Sequence, residues 1–323
     1  MHYGDLAASR CPVCGEDAVH QWRLARASDP QLAGRDAYWL DRCGSCGSAF
    51  TRDAETAPMQ IYEAGTYSAE RRSAAPFVEW FRRLADRDRL RFFDDVRPGG
   101  RVLELGAGAG ELVRKLDDQG FDARGIEPSP SAIEAAAVLG ARVVEGTAES
   151  AEVDPASEDA VVIWHALEHL ADPAETISRA REWLAPTGRL IIGVPDLSSL
   201  QARIGGDLWF HQDVPRHRTH FTSDGLVKLL ARNGLHVARV RHLLIEQNAF
   251  GMWQTMLNRL TGEPDFFFRL VKRDLAGVPA GVRARDLTIT LVAGSLLLAP
   301  AIALEFAAGG LGKGGTMVVE ATR

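Results

Sequence analysis

The 323-residue sequence predicts an α/β fold with a doubly wound, largely parallel sheet. Three observations carry that prediction. A glycine loop, "VLELGAGAGEL" at 102–112, joins an apolar run to an amphipathic segment. From residue 101 onward, short apolar runs alternate with segments of helical period. A last apolar run, "TMVVEATR", stands apart from the others, beyond residues 248–315, where the alternation breaks.

The elements follow in order. "PFVEWFRRLADRDRLRFFDDV" (76–96) spaces Phe77, Trp80, Phe81 and Leu84 as a helix would, and "RPGG" closes it. "RVLELG" is the first strand and "AGELVRKLDDQG" a helix stopped by Gly120. "DARGIE" is the second strand, and "SPSAIEAAAVLG" opens with the Ser-Pro pair suited to a helix start. "ARVVEG" and "DAVVIWH" are the third and fourth strands, "DPAETISRAREWLAPTG" a helix and "RLIIGVP" the fifth strand. "TSDGLVKLLARNG" is a helix, "LHVARVRHLLIEQ" the sixth strand and "TMVVEATR" the last. In a sheet of this kind the ligand lies at the C-terminal ends of the strands.

Composition is that of a soluble globular protein, 46% hydrophobic and 25% charged, with net charge −6. The start "MHYGDLAASR" lacks the basic-then-apolar order of a secretory signal, so a cytoplasmic setting is expected. All four cysteines fall within the first 46 residues, as Cys11-Pro-Val-Cys14 and Cys43-Gly-Ser-Cys46, each pair followed by glycine. Two such knuckles are what a tetrahedral Zn2+ site needs, and four protein ligands make it structural. Two disulfides are disfavoured in a reducing compartment. Residues 1–55 therefore read as a zinc ribbon, with "AYWLDRC" leading into the second knuckle, and 56–100 as a linker and lid helix.

The glycine loop could approach a dinucleotide pyrophosphate or a compact cationic cofactor. The dinucleotide fingerprint requires a third glycine where this chain has Glu111, and Glu104 adds a second negative charge before Gly106. Both carboxylates oppose a pyrophosphate and suit a ligand carrying a sulfonium and an ammonium. Glu127, ending the second strand, can accept from two ribose hydroxyls.

"ELGAGAG", "GIEPSP", "EGTAES" and "IWHALEHLADP", in this order, resemble class I S-adenosylmethionine-dependent methyltransferases, and most closely a group with an N-terminal zinc ribbon. The likeness extends to "CGSCGSAF", the tyrosine loop "IYEAGTYSAERR", "DVPRHRTHFT" and "GKGGTMVVEA". It implies a Rossmann-like sheet of seven strands with the last antiparallel, spanning 101–247 and 316–323. Carried over by position, Glu104, Gly106 and Gly108 line the methionine end, Gly110 shapes the turn, and Glu127 with Pro128 holds the ribose. Thr147, Ala148 and Glu149 fall at the adenine, Trp164 and His165 beside the sulfonium, and Tyr62 and Tyr67 in the aromatic lid.

Methyl transfer needs a base only for a protonated acceptor, and histidine suits that role. His165, at a strand end, and His217, in "PRHRTHF", are the candidates for lining the active site. His169 and His220 read as orienting backbone, and His211 has no assignable role. "HALEH" also matches a zinc-peptidase pattern, but that pattern needs both histidines on one helix, whereas His165 ends a strand.

The expected acceptor is a small or lipid-like molecule of secondary or envelope metabolism, with oxygen, nitrogen and carbon all open. The alternative is an RNA methyltransferase gripping nucleic acid through its ribbon. Residues 1–75 carry 8 Arg and no Lys against 10 Asp plus Glu, which gives no basic footprint, so no nucleic-acid partner is expected. Residues 248–315 read as a helical cap over the cleft, offering Trp253, Phe266, Phe267 and Phe268 to the acceptor. Within it, "LTITLVAGSLLLAPAIAL" (287–304) is uncharged, and it reads as a buried helix that Pro300 tends to break. The competing reading is peripheral membrane contact through 266–304, where "FFFRLVKR" sets aromatics beside basic residues.

Overall fold

A computed structural model describes residues 10–28, 33–56, 84–245, 248–272, 274–275 and 277–323. Tyr62, Tyr67, Phe77, Trp80 and Phe81 lie outside the described residues. The chain is helical over 84–90, then tightens into a 3-10 turn at Arg91–Phe93, so the helix stops short of residue 96.

Two sheets organise the described residues. The larger has the order β10-β11-β8-β7-β4-β5-β6. Its strands are β4 (Arg101–Leu105), β5 (Asp122–Glu127), β6 (Val143–Glu145), β7 (Glu158–Trp164), β8 (Leu184–Pro195), β10 (His236–Arg241) and β11 (Thr316–Thr322). Strand β11 runs antiparallel to both neighbours, β8 and β10, while β4 pairs in parallel with β5 and β7. The seven strands and the antiparallel last one agree with the expectation. The central strands are buried on both faces, which explains why "VVIW" and "LIIGV" are apolar runs with no alternation. Strand order reverses between β4 and β7, which puts the topological switch point, where sheets of this kind bind ligands, at the C-terminal ends of these two strands.

Local chemistry sets the helix limits. Helix α1 (Glu111–Asp118) starts at Gly110 and buries Leu112, Val113 and Leu116 at helical spacing. Helix α2 (Pro130–Leu139) begins with proline and ends on the left-handed Gly140. Helix α3 (Pro173–Trp183) is capped by Asp172, whose carboxylate accepts from the amides of Ala174 and Glu175. After β8 come α4 (Leu200–Gly205) and α5 (Ser223–Arg232), the latter capped by Thr222.

The smaller sheet has the order β1-β2-β3-β9, all antiparallel. Strands β1 (Val19–Arg26), β2 (Ala37–Cys43) and β3 (Ala49–Thr51) belong to the cysteine-bearing segment. Strand β9 (Thr219–His220) belongs to the loop after β8, and Ala49 pairs with His220 across it. The N-terminal segment is therefore completed by the larger domain.

The described residues of the 248–315 segment form three helices: α6 (Asn248–Asn258), α7 (Phe266–Val271) and α8 (Ala280–Gly310). Pro300 does not break α8, which runs through it for 31 residues. Both Pro300 and Leu296, whose carbonyl loses its hydrogen bond, lie exposed, so no packed neighbour is disturbed. Burial of 287–304 is the expectation that fails most clearly. Only 17% of the most apolar window of α8 is buried, while Leu291, Val292 and Leu296 are 64%, 60% and 74% exposed. Its inner face carries the polar anchors. Asp286 accepts from the amides of Gly262 and Glu263, and Glu305 from Gln201 and the Gly315 amide.

Candidate functional site

The glycine loop follows directly from β4. Gly106, Gly108 and Gly110 all adopt positive φ. At Gly106 (φ 69°) a Cβ would lie 2.6 Å from Ala166 Cβ, so a side chain is excluded by backbone strain and by the turn after β7 together. That turn, carrying His165 to His169, is thereby held against the loop.

Glu127, at the end of β5, is buried, and its carboxylate is fixed by backbone donors. Oε2 accepts from the Gly108 amide at 2.9 Å and Oε1 from the Ser129 amide at 3.0 Å. A carboxylate offers about four acceptor positions, so lone pairs are left for a vicinal diol while the loop stays pinned. Glu104 is also buried, at the end of β4. Together they set two buried carboxylates at the strand ends that flank the glycine loop, an arrangement that fits a cationic nucleoside and opposes a pyrophosphate.

The other expected cofactor residues surround this cradle. Pro128 is exposed at the mouth of β5. Ala148 is buried, while Thr147 and Glu149 are exposed, and the Thr147 hydroxyl and amide are tied to Ser150. The Trp164 indole packs with Phe92 at 5.9 Å and lies under the Arg89 guanidinium at 4.9 Å. This places it toward the 84–93 segment. His165 adopts φ 50°, unusual for a residue with a side chain, and points its Nδ1 at Glu168 Oε1, 3.2 Å away.

The histidines of the two motifs converge. His169 and His217 rings stand 4.8 Å apart, and His217 Nε2 is 4.0 Å from both Glu168 Oε1 and Asp213 Oδ2. Burial works to raise the Glu168 carboxyl, but the hydrogen bond to His165 and the surrounding imidazoles outweigh it and hold it at about 2. Burial drives His217 down to about 4, with His169 adding to the effect. Burial likewise lowers His211 and His220, each to about 3. Asp213 falls below the usual carboxylate range: burial opposes this, and the Arg216 guanidinium and His217 override it. These three histidines are neutral near neutral pH.

One hydrogen-bond chain joins the N-terminal segment to this cluster. The Arg23 guanidinium donates to Gln212 Oε1, and Gln212 Nε2 faces His220 Nδ1 at 3.4 Å. His220 Nε2 is 3.1 Å from Thr51 Oγ1, which donates to the His217 carbonyl at 2.6 Å. The Thr51 hydroxyl has one proton, already given to the carbonyl, so His220 must donate from Nε2 and accept at Nδ1. Both His220 ring nitrogens therefore meet side chains, and His220 reaches backbone only through the Thr51 hydroxyl; Thr51, Gln212, Glu168 and Asp213 enter as residues the sequence did not single out. Only Glu168 left a local trace, three residues after His165.

Cys11, Cys14, Cys43 and Cys46 are buried, unbonded to one another, and their sulfurs lie within 4.8 Å of each other. The Cys11–Cys46 and Cys14–Cys43 sulfurs are 3.8 and 3.6 Å apart. Those separations are far longer than a disulfide and match the ~3.8 Å edge of a tetrahedron with ~2.3 Å metal–sulfur arms.

Phe250 and Phe268 of the 248–315 segment pack edge-on against Phe210 at 5.4 and 5.2 Å, beside His211. His211 Nε2 would lie 2.6 Å from a Cβ on Gly251. Phe266 is buried, and Trp253 packs edge-on against Phe267 at 4.9 Å and donates to the Gly294 carbonyl. The segment therefore rests on the loop bearing the histidine cluster.

Residues 77–240, half of the chain, match the methyltransferase domain family. Over 92 residues the chain is 39% identical to an uncharacterized methyltransferase of Mycobacterium tuberculosis, covering 28% of this chain and 37% of that protein. Over 162 residues it is 31% identical to the ubiquinone biosynthesis O-methyltransferase of Xylella fastidiosa, covering 46% and 65% respectively. Each match thus spans less than two thirds of the relative's length. The structure of an S-adenosylmethionine-dependent methyltransferase from Mesorhizobium loti covers 74% of this chain and 98% of its own, with TM-score 0.47 and 16% identity. The chain belongs to the methyltransferase domain family.

Proposed function

We propose that this protein methylates a small or lipid-like acceptor at a membrane surface, using S-adenosylmethionine. The observation that carries the cofactor reading is Glu127: a buried carboxylate held on both oxygens by loop amides, facing a glycine cradle that tolerates no side chain. When bound, the cofactor supplies an electrophilic methyl group on a sulfonium. The chain's own contribution is placement: Glu127 holds the ribose, Glu104 and the loop hold the amino-acid end, and orientation carries much of the barrier reduction. His165 can take a proton from a hydroxyl acceptor. The four cysteines are assigned to a structural Zn2+ that fixes the N-terminal segment.

The lipid half of the proposal rests on α8. Asp286 and Glu305 moor its inner face at both ends, leaving a bare apolar row through Leu291, Val292 and Leu296. The chain then returns to the sheet as β11, so α8 lies along the domain. Beside its end, a cavity of about 230 Å³ is lined by Leu200, Leu304, Ala307, Ala308 and Leu311 together with Arg203 and Lys313. Apolar walls with two cations suit an anionic lipid headgroup.

Tritium from labelled cofactor, incubated with the protein and a cell extract, should partition into the organic, lipid-containing phase. Label recovered in RNA instead would favour the nucleic-acid alternative and overturn this reading.

A further inference from the structure

Glu168, His169 and His217 bring their side-chain donor atoms within 4.8 Å of one another from two separate stretches, the turn after β7 and the loop before β9. Both imidazoles are backed in the same manner. His169 Nδ1 lies 3.0 Å from the Arg216 carbonyl, and His217 Nδ1 lies 2.9 Å from the His211 carbonyl. A carbonyl only accepts, so each ring carries its proton on Nδ1 and presents an Nε2 lone pair. Ligating histidines are oriented by this kind of carbonyl backing. Glu168 supplies the negative charge: it is 1% exposed, and its Oε2 has no hydrogen-bond partner among the described residues. Two inward lone pairs beside an orphaned anionic oxygen form a costly arrangement that a cation relieves.

We propose that Glu168, His169 and His217 bind a divalent first-row transition cation through one carboxylate and two imidazole nitrogens. The donor set suits zinc, manganese, iron(II) or cobalt, and three protein ligands leave coordination positions open. The 4.0 Å between His217 Nε2 and Glu168 Oε1 exceeds the ~3.4 Å edge of a tetrahedron with ~2.1 Å arms, so ligation draws these two atoms together. Ala166 packs against Gly106, so the ion sits beside the glycine loop. On the function proposed above, its open positions take an oxygen of the acceptor, whose proton it makes easier to lose.

The test is equilibrium dialysis of the full chain against zinc, with metal analysis, repeated with cobalt for its spectrum. Wild type should hold two zinc ions per chain. His169→Ala and Glu168→Gln should each hold one, with circular dichroism unchanged. His169 is the milder change, because its side chain is only half-buried. The second cobalt ion should add weak visible bands without the thiolate charge-transfer absorption of a cysteine site. One ion in saturated, folded wild type, or two ions retained in both variants, overturns the assignment. Binding is read without methyl transfer, so that failure leaves the cofactor reading standing.

Discussion

Replacing Thr51 with valine keeps the shape of the side chain and removes one oxygen at the joint between the two sheets. The consequence follows from what that oxygen touches. It donates to the His217 carbonyl at 2.6 Å and accepts from His220 Nε2 at 3.1 Å, in a side chain 7% exposed. Valine leaves two buried polar groups unsatisfied, at roughly 1–3 kcal/mol each. The carbonyl can recover part of its loss through local adjustment, so a net destabilisation of about 2–4 kcal/mol is expected. With an unfolding entropy of ~2.1 cal/mol/K per residue, this lowers Tm by about 3–6 °C for a chain of this length. Thr51→Ser keeps the hydroxyl and should cost under about 1 kcal/mol. Turnover should fall in Thr51→Val while affinity for S-adenosylhomocysteine holds, because the perturbed backbone is that of His217, whereas Glu127 is fixed by the Gly108 and Ser129 amides. Differential scanning calorimetry and a methyl-transfer assay read both effects. A Thr51→Val variant as stable and as active as Thr51→Ser would refute the idea that the N-terminal segment positions the histidine loop.

Two further outcomes are expected. Cys43→Ser should release one zinc ion per chain, seen by metal analysis, and should speed amide exchange in β1–β3 and in β9, which shares their sheet, while leaving β4 and β7 protected. Burial raises the Asp265 carboxyl to about 7, despite the hydrogen bond from Asn258, whereas the unfolded chain ionises near 4. The native state therefore holds the extra proton between these values, and stability falls as pH rises from about 4 to about 7, by up to ~4 kcal/mol. Asp265→Asn should be more stable than wild type at pH 8 and close to it at pH 4 in urea unfolding; equal differences at both pH values would contradict this.

What could be read from the sequence depended on how local each feature was. The glycine loop, the cysteine knuckles and the strand–helix alternation are each written within a dozen or so residues, and their physics is largely that of their own segment. Thr219 and His220 are different. Two residues of a loop become β9 only because β3, about 170 positions earlier, offers them an edge, and no periodicity records that. The roles of Glu168 and Thr51 were hidden for the same reason, since their partners come from distant stretches. Helix α8 shows a second limit. An apolar run reads the same whether protein or another apolar phase is to cover it, so hydropathy alone could not separate a buried helix from one with Leu296 exposed. Pro300 stays within the helix because it is exposed, a placement that the sequence does not record.

The central claim is that the glycine loop and Glu127 hold a nucleoside carrying positive charge and no phosphate. Isothermal titration calorimetry with S-adenosylhomocysteine tests it most directly. The account predicts one-site binding to the wild-type chain, weakened about a hundredfold in Glu127→Ala, since hydrogen bonds to a charged acceptor are worth roughly 1.5–3 kcal/mol each. NADH should give no heat of binding. Binding of NADH together with none of S-adenosylhomocysteine would contradict the claim.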